Sequence, residues 1–167
     1  MRKILFVLCI SISLFGKAQT YTLQDIANSI KTFGTHMLYL EGPRLLIGSY
    51  DTVLIDKSYL RAVLQGELWA AGSRTGSLYQ VISFDARDIS NDVTIVPYRD
   101  ENGGTNRWDV VLKAKNSLSL IHFRNEQLGS NGVHFIRLHQ DVSTISFMFI
   151  SEDAANRFKR IAKLVFK

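Results

Sequence analysis

Apolar positions follow two different rhythms along this chain. Leu23, Ile26, Ala27, Ile30 and Phe33 recur every three or four residues. That spacing predicts a helix over residues 22–33, with Thr22 as N-cap and Gly34 as its stop. The same rhythm returns at the other end, where Ala154, Ala155, Phe158, Ile161, Ala162 and Val165 form one stripe. A second helix over residues 152–166 is expected there. Ser151 stands at its N-cap, Glu152 and Asp153 lie in its first turn, and Lys163 and Lys167 lie toward its end, an order that complements the helix dipole.

Between residues 66 and 150 the rhythm shortens. β-rich runs at Glu67–Ala71, Leu78–Phe84, Val93–Tyr98, Trp108–Lys115, Leu118–Phe123, Val133–Leu138 and Ser143–Ile150 predict seven antiparallel strands. Alternation assigns their faces. Ile145, Phe147 and Phe149 oppose Thr144, Ser146 and Met148, and Trp108, Val110, Leu112 and Ala114 oppose Asp109, Val111, Lys113 and Lys115; the first set of each should be buried. The Gly72–Gly76 stretch and Asn102-Gly103-Gly104 supply residues that tolerate positive φ, and Asn116-Ser117 fits a two-residue hairpin. Residues 36–66 are ambiguous: Tyr59–Leu64 suits a helix or a strand.

The start of the chain changes the reading of its composition. Arg2 and Lys3 precede an uncharged run from Ile4 to Phe15, followed by Gly16-Lys17-Ala18, the arrangement of a secretory signal peptide cut after Ala18. The run falls short of the roughly 20 apolar residues that span a bilayer. Residues 1–18 are therefore expected to be a leader and residues 19–167 a single exported domain, periplasmic or extracellular. The whole chain has 167 residues, 46% of them hydrophobic, and a net charge of +5. Removing the leader removes three of the 20 bases and none of the 15 acids, which leaves +2. It also removes Cys9, the single cysteine, so disulfides and thiolate chemistry fall away. A nucleic-acid partner is not expected of so weak a basic excess.

No motif announces a reaction. His36, His122, His134 and His139 lack zinc-ligand spacing, and His134 and His139, five apart, fall on opposite faces of one strand. There is no Gly-x-Ser-x-Gly turn, and Gly72-Ser73-Arg74-Thr75-Gly76-Ser77 lacks a P-loop ending and reads as a hairpin. Asp100-Glu101-Asn102-Gly103-Gly104 offers oxygen ligands for calcium without the following bidentate acid, so a solvated tip is favoured. Asp85, Asp88 and Asp92 are close in sequence, but a glycosidase pair is defined by a separation across a cleft. Arg157, Lys159, Arg160 and Lys163 read as the wet face of the last helix. The candidate partner-binding residues are Arg99, Arg107, Lys113 and Lys115, which would attract anions if they converged.

Seven antiparallel strands followed by one amphipathic helix resemble the pleckstrin-homology-like fold, and more narrowly small exported proteins of Bacteroidetes-type bacteria. The resemblance rests on the leader ending Lys17-Ala18-Gln19, the helix at 22–33, the segment Tyr79-Gln80-Val81-Ile82-Ser83-Phe84-Asp85 and the ending Phe149-Ile150-Ser151-Glu152-Asp153-Ala154-Ala155-Asn156-Arg157-Phe158. It implies an α+β, mainly antiparallel architecture: a partly open seven-stranded barrel or sandwich with an N-terminal helix and a C-terminal capping helix. It further implies a module that binds peptides, proteins or lipid headgroups; with no catalytic constellation in the sequence, a non-enzymatic module without a cofactor is expected, with a protein, a peptide or an anionic lipid as its partner. A small secreted hydrolase and a lipid-associating envelope protein are the alternatives.

Overall fold

The computed structural model describes residues 20–34, 37–39, 44–99 and 105–167. The expected leader, His36 and the Asp100–Gly104 tip lie outside the described residues. Helix α1 (Leu23–Phe33) begins where the sequence places it. The Thr22 N–H donates to Asp25 Oδ2 at 2.8 Å, one arm of a capping box that satisfies amides left without helical partners. Its buried face is Ile26, Ala27 and Ile30. At its end the Gly34 N–H reaches the Ile30 carbonyl at 2.8 Å. A Cβ on Gly34 would lie 2.4 Å from that oxygen and 2.6 Å from the Tyr50 ring, so only glycine permits the approach.

Nine strands follow among the described residues. The first four, β1 (Met37–Tyr39), β2 (Arg44–Asp56), β3 (Tyr59–Ala70) and β4 (Ser73–Asp85), form an antiparallel meander. The segment that the sequence left open is therefore strand. In β3 the side chains of Leu60, Ala62 and Leu64 are fully buried while Arg61 and Gln65 face out, a period of two. Val63, also buried, is what makes the run imitate a helix. The β3–β4 turn is confined to Ala71 and Gly72, both at positive φ (49° and 77°), as a tight hairpin requires. The expected strand Glu67–Ala71 is thus, as far as Ala70, the end of a 12-residue strand, with Ala71 in the turn.

The strands β5 (Thr94–Arg99), β6 (Thr105–Lys113), β7 (Ile121–Gly129), β8 (His134–Val142) and β9 (Thr144–Phe149) divide between two sheets. One has the order β1-β2-β3-β4-β7-β8 and the other β5-β6-β9. This corrects the expectation of a partly open seven-stranded barrel: the architecture is α+β with antiparallel sheets, but they do not close. Asn116-Ser117 is not a hairpin either. A 3₁₀ turn at Lys115–Ser117, with Asn116 and Ser117 at φ 57° and 56°, carries the chain from the small sheet to the large one. Strand β7 starts later than expected and runs through Asn125, Glu126 and Gln127. Ladders to β4 on one side and β8 on the other overcome the low strand propensity of these residues.

Helix α2 (Glu152–Val165) is capped by Ser151, whose Oγ accepts from the Ala154 N–H at 3.4 Å. It has no barrel mouth to plug. It packs against α1 and the small sheet instead, with the Phe158 ring 5.7 Å from that of Phe147 and 5.2 Å from that of Phe149. Both faces predicted to be inward are inward: Val110, Leu112, Phe147 and Phe149 are fully buried. These side chains join Leu60, Leu64, Ile82 and Phe84 of the large sheet in one core. Among the described residues no helix is long and apolar enough to cross a membrane.

Candidate functional site

The inner faces of β3 and β4 are committed to the core, whereas Ile136 and Leu138 on the inner side of β8 stay exposed; the charged side chains of the sheet gather on its outer face. Strand alternation and register set three rows of side chains across that face. The first runs Arg61 (β3), Ser83 (β4), His122 (β7), Asp141 (β8). The second runs Val63, Val81, Arg124, His139, and the third continues through Tyr79, Glu126 and Arg137. Between them lies an open groove of about 400 Å³ lined by Arg61, Val81, Ser83, His122, Phe123, Arg124 and His139, with Gln140 and Asp141 at its β8 side. Val81 and Ser83 are buried and give the groove a floor of one apolar and one hydroxyl-bearing side chain. The charged side chains stand around it.

These charges are organised by two carboxylates. Asp141 Oδ1 contacts His122 Nδ1. Glu126 Oε1 gathers His139 Nε2 at 3.1 Å, Arg124 Nη2 at 2.8 Å and Arg137 Nε at 3.4 Å. Hydrogen bonding from His139, followed by Arg124, holds the Glu126 carboxyl below its usual range. The Arg124 guanidinium also lies over the Tyr79 ring at 5.4 Å. Arg61 has no acidic partner among the described residues. With both imidazoles neutral, the three arginines outnumber the two carboxylates by one charge.

The structure does not gather the sequence candidates into one patch. Arg99 and Arg107 lie near one end of the small sheet, and Lys113 is six residues farther along β6, about 20 Å away at strand rise. Arg107 Nε meets Asp109 Oδ1 at 2.8 Å with its side chain 14% exposed, and its guanidinium stacks 4.2 Å above the Tyr98 ring. Desolvation raises the Asp109 pKa against the pull of Arg107. Lys113 pairs with Asp92 at 2.7 Å. Lys115 donates to the carbonyls of Arg87 and Lys167 at 2.6 and 2.9 Å. A smaller cavity of about 210 Å³ beside Lys113 is lined by Ser90, Asp92, Asn116, Ser117, Ser143 and Thr144.

Of the three acids considered for glycoside chemistry, Asp85 and Asp92 are similarly engaged. Asp85 accepts from Arg87 Nη2 at 2.7 Å, Arg87 N at 2.9 Å and Ser58 Oγ at 2.9 Å. Those bonds, led by the Arg87 side chain, hold its carboxyl well below the carboxylate range. Asp92 is lowered by its bond from Lys113. Among the described residues no three His, Asp or Glu side chains converge as a metal site.

The groove residues escaped the sequence reading because they come from four strands whose order the sequence does not state. One signal was present: Arg124 and Glu126 alternate with His122 on β7, as Arg137, His139 and Asp141 do on β8. Two neighbouring strands each carried a polar face with complementary charge. Comparison of the chain with family models, curated proteins and solved structures finds no match to any of them.

Proposed function

We propose that the chain is an exported, non-enzymatic binding module whose ligand seat is the groove on the outer face of the large sheet, and that its ligand presents an oxyanion there. The observation that carries this is Arg61, a cation without an acidic partner among the described residues, set beside Ser83 with Arg124 on the far side of Val81 in the same groove. An anion seated there meets two guanidiniums, which suit carboxylate and phosphate geometry. Export is supported by the residue pattern of positions 1–18. A pleckstrin-homology-like kinship is supported by the antiparallel sheets and the packed C-terminal helix; the nine strands among the described residues, in two unclosed sheets, depart from it.

The test is an NMR titration with sodium sulfate. Backbone amides of residues 81–83, 122–124 and 139–141 should shift together, and Arg61→Gln should weaken the effect about tenfold, the worth of one charge-assisted hydrogen bond. Shifts scattered over the surface, or an unchanged response in the variant, would exclude the groove as the seat.

A second reading, an acyl hydrolase, is favoured by the row Ser83–His122–Asp141, in which a carboxylate holds one imidazole nitrogen beside a hydroxyl-bearing neighbour. Against it, no hydrogen bond joins Ser83 to His122, and His122 and Asp141 have side chains 60% and 55% exposed. Ester cleavage abolished by Ser83→Ala would establish this reading in place of simple binding.

A further inference from the structure

Both histidines of the groove are held by carboxylates, His122 by Asp141 and His139 by Glu126. We infer that anion binding in the groove is linked to proton uptake, so that the site fills in mildly acidic surroundings and empties as the pH rises. This rests on the groove being the ligand seat.

The physical case begins with what faces each imidazole. His122 is flanked by Ser83 on β4 and Asp141 on β8, with Arg124 next on its own strand face and Arg61 one strand beyond Ser83. His139 is flanked by Arg124 and Glu126 on β7 and by Arg137 and Asp141 on β8. Asp85, the next outward acid on β4 after Ser83, is tied to Arg87. On β2 the residue opposite Arg61 is Leu54, and Thr52 lies opposite Val63; neither titrates.

Imidazole is the side chain that gains charge between about pH 8 and pH 5. Glu126, already held low by its donors, keeps its charge through that window. The excess over the groove therefore rises from one positive charge to three when both rings protonate, and the new charges appear at its rim, where the lining places His122 and His139. Two added charges about 6 Å from a bound dianion, with solvent dielectric and physiological screening, tighten binding about tenfold. The carboxylates also keep each ring in place when it becomes charged, because an imidazolium nitrogen donates to the oxygen that already touches it.

Sulfate suits the experiment because its own charge is constant across the range. Titration of the whole chain with sodium sulfate at constant ionic strength, at about pH 5.5 and about pH 8, should give affinity about tenfold higher at the lower value. The double variant His122→Gln/His139→Gln should bind equally at both. These rings are more than half or half exposed, at 60% and 50%, so the variant should fold, and circular dichroism checks that it does. Equal affinity of the unaltered chain at both pH values, or a pH dependence that survives in the double variant, overturns the inference while leaving the groove as the seat. An absence of groove shifts at either pH instead removes the binding reading beneath it.

Discussion

Truncating Phe158 tests how the terminal helix is held. This ring is fully buried and stands between Phe147 and Phe149 of the small sheet, at 5.7 and 5.2 Å. A buried phenylalanine removes about 200 Å² from water, worth about 5 kcal/mol at roughly 25 cal/mol per Å², of which alanine retains a small part. The two tilted ring contacts add about 1 kcal/mol, and partial collapse of the cavity gives some of the total back, so Phe158→Ala should cost about 3–5 kcal/mol. That is a large share of the roughly 5–15 kcal/mol that stabilises a domain. In urea, with a slope of about 2 kcal/mol per molar, the midpoint should fall by about 2 M. Arg160→Ala, on the exposed face of the same helix, should change stability by less than about 0.5 kcal/mol. A loss under about 1 kcal/mol for Phe158→Ala would show that the helix does not pack on the small sheet in solution.

Two further substitutions probe polar groups inside the fold. The Tyr50 hydroxyl is buried without a hydrogen-bond partner among the described residues, and burial, then the Asp109 charge, pushes its ionisation well above the usual phenol range. Tyr50→Phe should therefore stabilise by about 0.5–1.5 kcal/mol in urea unfolding, and a loss of stability would reveal an acceptor for the hydroxyl. Asp85 has its pKa depressed in the folded state by Arg87, so its contribution is present above the unfolded value near about 4 and is lost as pH falls through the folded value. The Tm advantage of the unaltered chain over Asp85→Asn should be constant near neutrality and shrink below about pH 4, and an advantage undiminished in acid would contradict the assignment.

The two helices and strand β9 were legible because one periodicity runs through each without competition. In α2 every stripe residue from Ala154 to Ala162 is buried, and in β9 Phe147 and Phe149 are buried while Thr144 is not. The long strands β2 and β3 were not legible, because Leu60, Ala62, Val63 and Leu64 satisfy both a period of two and a helical face. The sheet division was hidden for another reason. Nothing local to Ser83 states that its next neighbour in the sheet is His122, since that pairing depends on β5 and β6 leaving to build a separate sheet. The same gap concealed the groove. His122 and His139 read as polar strand residues, and which acids they meet is fixed by pairing across β7 and β8.

The seam between β4 and β7 joins residues 76–83 to residues 122–129, and the groove straddles it. Arg61 and Ser83 arrive on one side of the seam, His122 and Arg124 on the other, so neither half of the chain owns a complete seat. If the groove holds an anion as proposed, that anion is a stitch: opening the seam must also release it, and its occupancy should slow hydrogen exchange along both bordering strands ahead of the remainder of the sheet.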